Sequence, residues 1–249
     1  MNDVDVQIHD RIATLTLSRG KVNAINGEVV AQLDAAFRSL ESRADVLATI
    51  LTGRDKFFSF GFDVPEIRSF SRDQFAKFFR QFTDLYTYMF LYPKPVIAAI
   101  NGHAIAGGCM LALACDRRIM VDGHAKIGLN EIAFGSSVFA GSVEMLRFAI
   151  GSGAASEVLY TGAMYSARDA ERIGLVQDVS PEADIRERAE RVARELASRH
   201  PLAFASIKRL LRQSVAEEMV RREEASVNEM VEIWSSEPTR SNLKNIEIY

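Results

Sequence analysis

The sequence predicts an α/β protein in which a body of alternating strands and helices is followed by a helical end. Two patterns carry this reading. Apolar runs of strand length alternate with apolar stripes of helical period as far as about residue 130, and beyond about residue 183 the helical period runs almost unbroken. Composition sets the bounds: 249 residues, 48% hydrophobic and 25% charged, suffice to bury most of the unfolded chain's surface without disulfide or metal staples.

The elements follow in order. From Arg11 to Ser18, Ala13, Leu15 and Leu17 alternate with Thr14 and Thr16, as in a half-buried strand. Val30, Leu33, Phe37 and Leu40 recur at steps of 3, 4 and 3 and form a helical stripe, and Val46 to Leu51 is a short apolar strand closed by Thr52-Gly53. Strand, helix and strand in this order make a crossover unit. Ser71-Arg-Asp-Gln74 has the form of a capping box, and behind it Phe75, Phe78, Phe82, Leu85 and Met89 hold a helix up to Tyr92-Pro93. Pro95 to Ile100 is a buried strand, Asn101-Gly102 a turn, and Gly107 to Cys115 a small-residue helix leading into Arg118-Ile-Met-Val121. Ser166 and Ser180-Pro181 are helix starts, the latter with Pro in the first turn. Ile185, Ala189, Val192 and Leu196 form a 4, 3, 4 stripe in a helical stretch broken at His200-Pro201. The expected division is a body over residues 1–180 and a helical region over 181–249.

Charge and cysteine usage exclude several classes of function. Thirty Lys and Arg against 33 Asp and Glu give a net charge of -3, without the strongly basic face that duplex nucleic acid requires. Cys109 and Cys115 are too few for a disulfide framework, lack zinc-site spacing, and read as buried apolar residues of a reducing compartment. The amino terminus carries acids where a signal peptide carries bases. The longest weakly polar run, Gly102 to Cys115, is shorter than the ~20 residues that span a bilayer. A cytoplasmic protein with no membrane insertion is expected.

Three segments carry chemistry. In Phe57-Phe58-Ser59-Phe60-Gly61-Phe62-Asp63-Val64, a glycine inside an aromatic run marks a close backbone approach or an unusual dihedral, or else a simple strand-end bulge. In Asn101-Gly102-His103-Ala104-Ile105-Ala106-Gly107-Gly108-Cys109-Met110, glycines open a helix and leave free N–H groups at the positive end of its dipole; tight helix-to-sheet packing explains them equally well. In Ile127-Gly128-Leu129-Asn130-Glu131-Ile132-Ala133-Phe134-Gly135, Glu131 is the single carboxylate of an apolar stretch, where burial raises a carboxyl towards the range of a general base. Alone, Glu131 reads as a structural ion-pair partner as readily as a catalytic residue.

The order and spacing of these segments, with Ser18-Arg-Gly-Lys-Val-Asn-Ala-Ile-Asn26 before them and Thr161-Gly162 and Ala167-Arg-Asp-Ala-Glu-Arg-Ile-Gly-Leu-Val176 after, resemble the crotonase (enoyl-CoA hydratase/isomerase) superfamily over nearly the whole chain. The resemblance implies a spiral of ββα units with a C-terminal helical trimerisation region, assembled as a homotrimer or a dimer of trimers, the last helices packing on a neighbouring subunit. It implies an acyl-CoA thioester substrate, with coenzyme A part of that substrate, and no separate cofactor or metal. Carried over residue by residue, the N–H groups of Phe62 and Gly107 form an oxyanion hole for the thioester carbonyl, and Glu131 is the base. Lys21, Val22 and Ala24 match the CoA-contacting segment. Ser59, Phe60, Gly61, Asp63 and Asn130 border the substrate, with Asp63 also suited to fixing its loop.

One departure separates activities within that family. Hydratases resemble one another in carrying two catalytic glutamates, and here the first position is Met110, which transfers no proton. Moving a double bond from C3 to C2 needs one base, and Ile-Gly-Leu-Asn-Glu with Ala-Gly-Gly-Cys looks more like the Δ3-Δ2-enoyl-CoA isomerases. Glu144 is the candidate for a second carboxylate. Hydration, thioester hydrolysis and carbon–carbon bond formation are the alternatives within the fold. RNA binding through Arg186, Arg188, Arg191, Arg194 and Arg199 is a remote one, since such a run is most simply a solvated helix face. His103 is expected to make a structural hydrogen bond, and the Phe75 to Met89 helix to be core on one side and a wall of the acyl tunnel on the other.

Overall fold

The structure, a computed structural model, describes residues 2–244. The strands form a six-stranded sheet and a three-stranded sheet, because the chain repeatedly lays one strand in each before entering a helix. The first strand β1 (Val4–His9) pairs antiparallel with β2 (Ile12–Leu17), and α1 (Gly27–Glu41) then crosses to β3 (Ala48–Gly53). From there β4 (Phe57–Ser59) leads through the short α2 (Val64–Ile67) to α3 (Arg72–Leu91); β5 (Val96–Ile100) and β6 (His103–Ile105) lead to α4 (Gly107–Ala114). The next unit is β7 (Arg117–Val121), β8 (Ile127–Gly128) and α5 (Ala140–Thr161), followed by α6 (Ala167–Arg172) and β9 (Asp178–Ser180). The main sheet has the order β1-β2-β3-β5-β7-β9, parallel from β2 onward, and the second sheet is β4-β6-β8, parallel throughout. The chain closes with α7 (Ile185–Ala197), α8 (Pro201–Ser235) and α9 (Glu237–Leu243).

The expected elements are present with their local causes. Asn26 accepts the Val29 N–H at the start of α1, and Ser71 and Gln74 form the reciprocal capping box of α3. Cys109 and Cys115 are buried free thiols. Three features differ from expectation. β1 is an additional strand, with little apolar signal because only Val4 of it is buried. Ser180-Pro181 does not start a helix: Ser180 ends β9, a 3₁₀ turn spans Glu182–Asp184, and α7 begins at Ile185. The strands of the second sheet have three, three and two residues, too few for periodicity to show.

The helical end is built into the body. One face of the main sheet is covered by α7, with Ile185, Ala189 and Ala193 packed on Ile50, Ile97 and Ile119. Met219, Val227, Met230 and Trp234 of α8 belong to the same core as Phe79, Phe82 and Tyr86 of α3. Much of the terminal helices' apolar surface is thus packed within the chain itself, while Leu202, Ile207, Leu210 and Leu211 of α8 stay exposed.

A buried charge cluster anchors α8. Asp116 accepts the Val96 N–H at 2.7 Å, pairs with Lys208 at 2.8 Å and with Arg212 at 3.2 Å. Arg212 also donates to the carbonyls of Phe90, Ala114 and Cys115, satisfying groups that helices α3 and α4 leave open at their ends. Removing one member of such a cluster leaves buried charge uncompensated. Asp116→Ala is expected to destabilise the fold by ~3–5 kcal/mol, read as a lower urea midpoint with little change in slope.

Candidate active site

The first arm of the site is strapped to the segment around residues 21–25. Phe60 N–H donates to Val22 O at 3.0 Å, Ser59 Oγ to Asn23 O at 2.7 Å, and Asn23 Nδ2 to the carbonyls of Arg54 and Phe57. Ile25 N–H donates to Gly61 O and Asp63 N–H to Ile25 O, at 2.8 and 2.9 Å. In an extended pair successive N–H groups point to opposite sides, so the Phe62 amide faces away from residue 25. Among the described residues it has no acceptor. The Phe62 ring packs against Phe78, Phe79, Phe82 and Phe139, which fixes the backbone that carries this amide.

The second arm is the turn from β6 into α4. Ala106 adopts φ 50°, ψ -119°, held by its N–H on Gly128 O and its carbonyl on Met110 N–H, both at 3.0 Å. A non-glycine residue in that region stores about 1–3 kcal/mol of strain, and its ψ sets the plane of the next peptide and so aims the Gly107 N–H. That amide also has no acceptor among the described residues. The glycines let the two arms touch. A Cβ on Gly61, whose φ is +94°, would fall 2.9 Å from Ile105 O and 3.3 Å from Gly107 N, and one on Gly108 would fall 2.4 Å from Ser59 O. Both sequence readings of these glycines therefore hold together: packing is tight, and each of the two arms it holds together carries an open amide.

The third arm carries the carboxyl. After β8, a 3₁₀ turn over Glu131–Phe134 is closed by Gly135, and Ser136 N–H donates back to Glu131 O at 2.9 Å. Glu131 is 4% exposed, and neither carboxyl oxygen has a hydrogen-bond partner; the buried Asn130 Oδ1 beside it has none either. Burial without compensation pushes the Glu131 carboxyl up to about 8.

These arms enclose a cavity of ≈ 400 Å³. Phe60, Phe62, Ile105, Ala106, Met110, Asn130 and Glu131 line it, joined by Phe139 and, from α8, by Met230 and Trp234. Among its described lining residues Glu131 is the one titratable side chain. A larger groove of ≈ 730 Å³ lies across the segment from Leu129 to Val138, and its described lining residues include no carboxyl.

The structure brings Phe60, Phe62, Asn130 and Glu131 to one cavity; Gly107 is not among its lining residues and follows Ala106, which is, while Ser59 and Gly61 hold the first wall. Asp63 accepts the Glu66 N–H as N-cap of α2 and pairs with Arg19 at 2.5 Å, which fixes the loop. Val22 and Ala24 are buried behind Phe60 and Lys21 is exposed; none of the three lines the cavity. Lys126 N–H donates to His103 Nδ1, a structural role. Glu144 is turned to Arg147 and Arg222, and the aromatic helix α3 supports Phe62 from behind instead of walling the cavity. Arg186 and Arg194 pair with Glu190, Arg199 with Glu195 and Arg188 with Asp178, so four of the five arginines of the run are engaged in local ion pairs. Phe139, Met230 and Trp234 escaped the sequence reading; their only signal was a single tryptophan in a helical end whose docking direction no periodicity reveals. Among the described residues no group of His, Cys, Asp or Glu could hold a metal, and no helix is long and apolar enough to cross a membrane.

Known proteins share both the sequence pattern and the architecture. The family model described as enoyl-CoA hydratase/isomerase matches residues 7–246. A short-chain-enoyl-CoA hydratase of Clostridium acetobutylicum is 31% identical over 217 residues, 86% of this chain and 83% of the relative. A 2,3-dehydroadipyl-CoA hydratase of Escherichia coli is 33% identical over 216 residues, again 86% and 83%. The crystal structure of human mitochondrial Δ3-Δ2-enoyl-CoA isomerase superposes with a TM-score of 0.92 at 27% identity, covering 97% of this chain and 95% of that one. The chain therefore has the crotonase fold and belongs to the enoyl-CoA hydratase/isomerase family.

Proposed function

We propose that the protein moves the double bond of a 3-enoyl-CoA to give the 2-trans-enoyl-CoA. The observation that carries this reading is the single base: Glu131 is the one titratable group among the described residues of the cavity, and the fully buried Met110 stands where, by the family resemblance, hydratases carry the first of their two glutamates. The C2 proton of a 3-enoyl thioester is acidified by both the carbonyl and the alkene. Glu131 as carboxylate takes that proton, the Phe62 and Gly107 N–H groups stabilise the dienolate oxygen, and the same carboxyl, now protonated, returns the proton at C4. No redox partner, metal or cofactor enters, and the coenzyme A portion stays on the substrate throughout. Phe60, Gly61 and Asn130 border the acyl thioester in this reading, and Lys21, Val22 and Ala24 lie along the CoA.

A second reading, hydration of a 2-enoyl-CoA, is favoured by the names of the relatives that are 31–35% identical. It requires a second proton-transfer group, and Glu144 is already engaged by two arginines. We also assign a homotrimer or dimer of trimers, using the exposed leucines of α8, and a reducing compartment such as the cytoplasm. A solution mass of one chain would reject the assembly.

Three measurements test the proposal. Incubated with 3-enoyl-CoA, the enzyme should form the 2-trans isomer without added redox cofactor, and Glu131→Gln should lower kcat by ~10²–10⁴-fold. Predominant 3-hydroxyacyl-CoA from crotonyl-CoA would select hydration instead. Because the base works ionised, kcat/KM should rise about tenfold per pH unit and level off above about 8. The same burial affects stability: an unfolded glutamate releases its proton near ~4.3, the native one holds it to about 8, and stability falls with pH across that window. Glu131→Gln removes this loss. Urea denaturation at pH 9 should show the variant more stable than wild type by a few kcal/mol, since every tenfold gain in the native carboxyl's proton affinity is worth about 1.4 kcal/mol. At about pH 4.5 the two proteins should be nearly equal.

A further inference from the structure

Four contacts tie the end of the chain to both reactive arms of the cavity. Trp234 Nε1 donates to Ser136 Oγ at 2.6 Å, Thr239 Oγ1 donates to Gly135 O at 2.7 Å, and Asn242 Nδ2 donates to Phe134 O at 3.2 Å. These three acceptors are the last residue of the 3₁₀ turn that begins at Glu131 and the two residues after it, a segment closed on itself by Ala133 N–H to Asn130 O, Gly135 N–H to Ile132 O and Glu131 O, and Ser136 N–H to Glu131 O. On the other side, Arg68 Nη1 donates to Leu243 O at 2.9 Å, and Arg68 is the C-cap of α2, whose N-cap Asp63 directly follows Phe62. The last turn of α8 and the whole of α9 thus bridge the carboxyl arm and the first amide arm.

We infer that Trp234 and Thr239 are positioning residues, which set the distance between the Glu131 carboxyl and the amide pair by holding Ser136 and Gly135. The inference rests on Glu131 acting as base. Trp234 and Thr239 are 5% and 3% exposed, so their donors work away from competing water. The 3₁₀ turn needs such support. No hydrogen bond fixes its carboxyl, so the placement of Glu131 leans on the backbone of the turn, and α9 holds the Phe134 and Gly135 carbonyls of that backbone. Trp234 adds a second effect, since its ring also walls the cavity and keeps water from the carboxyl.

The test uses the full-length enzyme with Thr239→Val, which keeps shape and removes the donor, Thr239→Ser, which keeps the donor, and Trp234→Phe, which keeps an aromatic wall without the N–H. Arg80→Gln, in an exposed ion pair with Glu224 of α8, serves as the control for general loosening. A misplacement on the order of 1 Å costs about 10²-fold, so Thr239→Val and Trp234→Phe should lower kcat on 3-enoyl-CoA by about 10- to 100-fold while KM stays within a few-fold. The midpoint of the kcat/KM profile should move below the wild-type value as water reaches Glu131, and Thr239→Ser and Arg80→Gln should match wild type. A merely structural contact would lower the melting temperature and leave kcat and that midpoint unchanged, which overturns the inference. Should Trp234→Phe fail to fold, the Thr239 pair decides. Carbon-13 NMR titration of the Glu131 carboxyl needs no turnover and keeps the two proposals apart. With no isomerisation by wild type but a lowered midpoint in Thr239→Val, the functional reading fails and the positioning stands; an unchanged midpoint rejects the positioning.

Discussion

A carboxyl group buried with no hydrogen-bond partner is the constraint on which the rest of the site depends. Removing an ionised carboxylate from water costs many kcal/mol, and the molecule avoids that cost by keeping the proton until about pH 8. Compensating Glu131 with an arginine, as Asp63 is compensated by Arg19, would return it to an ordinary acid. Its neighbours in the cavity are instead Met110, Phe134, Phe139 and Trp234. An apolar surrounding does two things at once. It makes the carboxylate a stronger base when ionised, and it strengthens the field of the two amides opposite, because little water is present to screen them.

The amides owe their freedom to different devices. Phe62 N–H is open because β-type pairing with Ile25 uses the groups on either side of it and turns this one away. Gly107 N–H is open because it begins a helix, and it is aimed by the strained Ala106. Side chains never enter these two donors, which explains why the site tolerates so apolar a sequence around them. What the site physically requires is the close approach. The backbone of Ser59 and Gly61 lies against Ile105, Gly107 and Gly108 at separations no side chain at the glycines would permit.

How much of this was legible depends on range. The helices α1 and α3, the strands β2, β3 and β5, and the turn into α4 show in the sequence because their signals are local: a stripe, a cap, a glycine pair. The short strands of the second sheet carry too few residues for a period, and they exist because neighbouring units stack. Glu131 stood out for its chemistry in an apolar run, yet its lack of any partner is a tertiary fact. The same holds for Ser180-Pro181, whose local pattern suggests a helix start but whose backbone is taken by pairing with β7. Met230 and Trp234 lay beyond reach for the most basic reason: a helix of 35 residues offers many faces, and only the docking of α8 selects which one meets the cavity.

That docking links stability to chemistry. Chain ends ordinarily fray, because few contacts hold them. Here Lys208 and Arg212 hold the start of α8 to Asp116, Glu223 at its middle accepts from Tyr86 Oη and from Gly141 N–H at the start of α5, and Trp234 near its end meets the cavity. From Arg212 to Trp234 the helix runs ~33 Å at 1.5 Å per residue. A rod pinned at one end by buried charge and at its middle by a shared carboxylate places its far end with little freedom, since a tilt at the anchor would break bonds to Phe90, Ala114 and Cys115 together. The cavity wall therefore inherits its precision from groups well removed from it. In the body, sequence-local devices make the amides; at the end of the chain, a long lever closes the space in which they act.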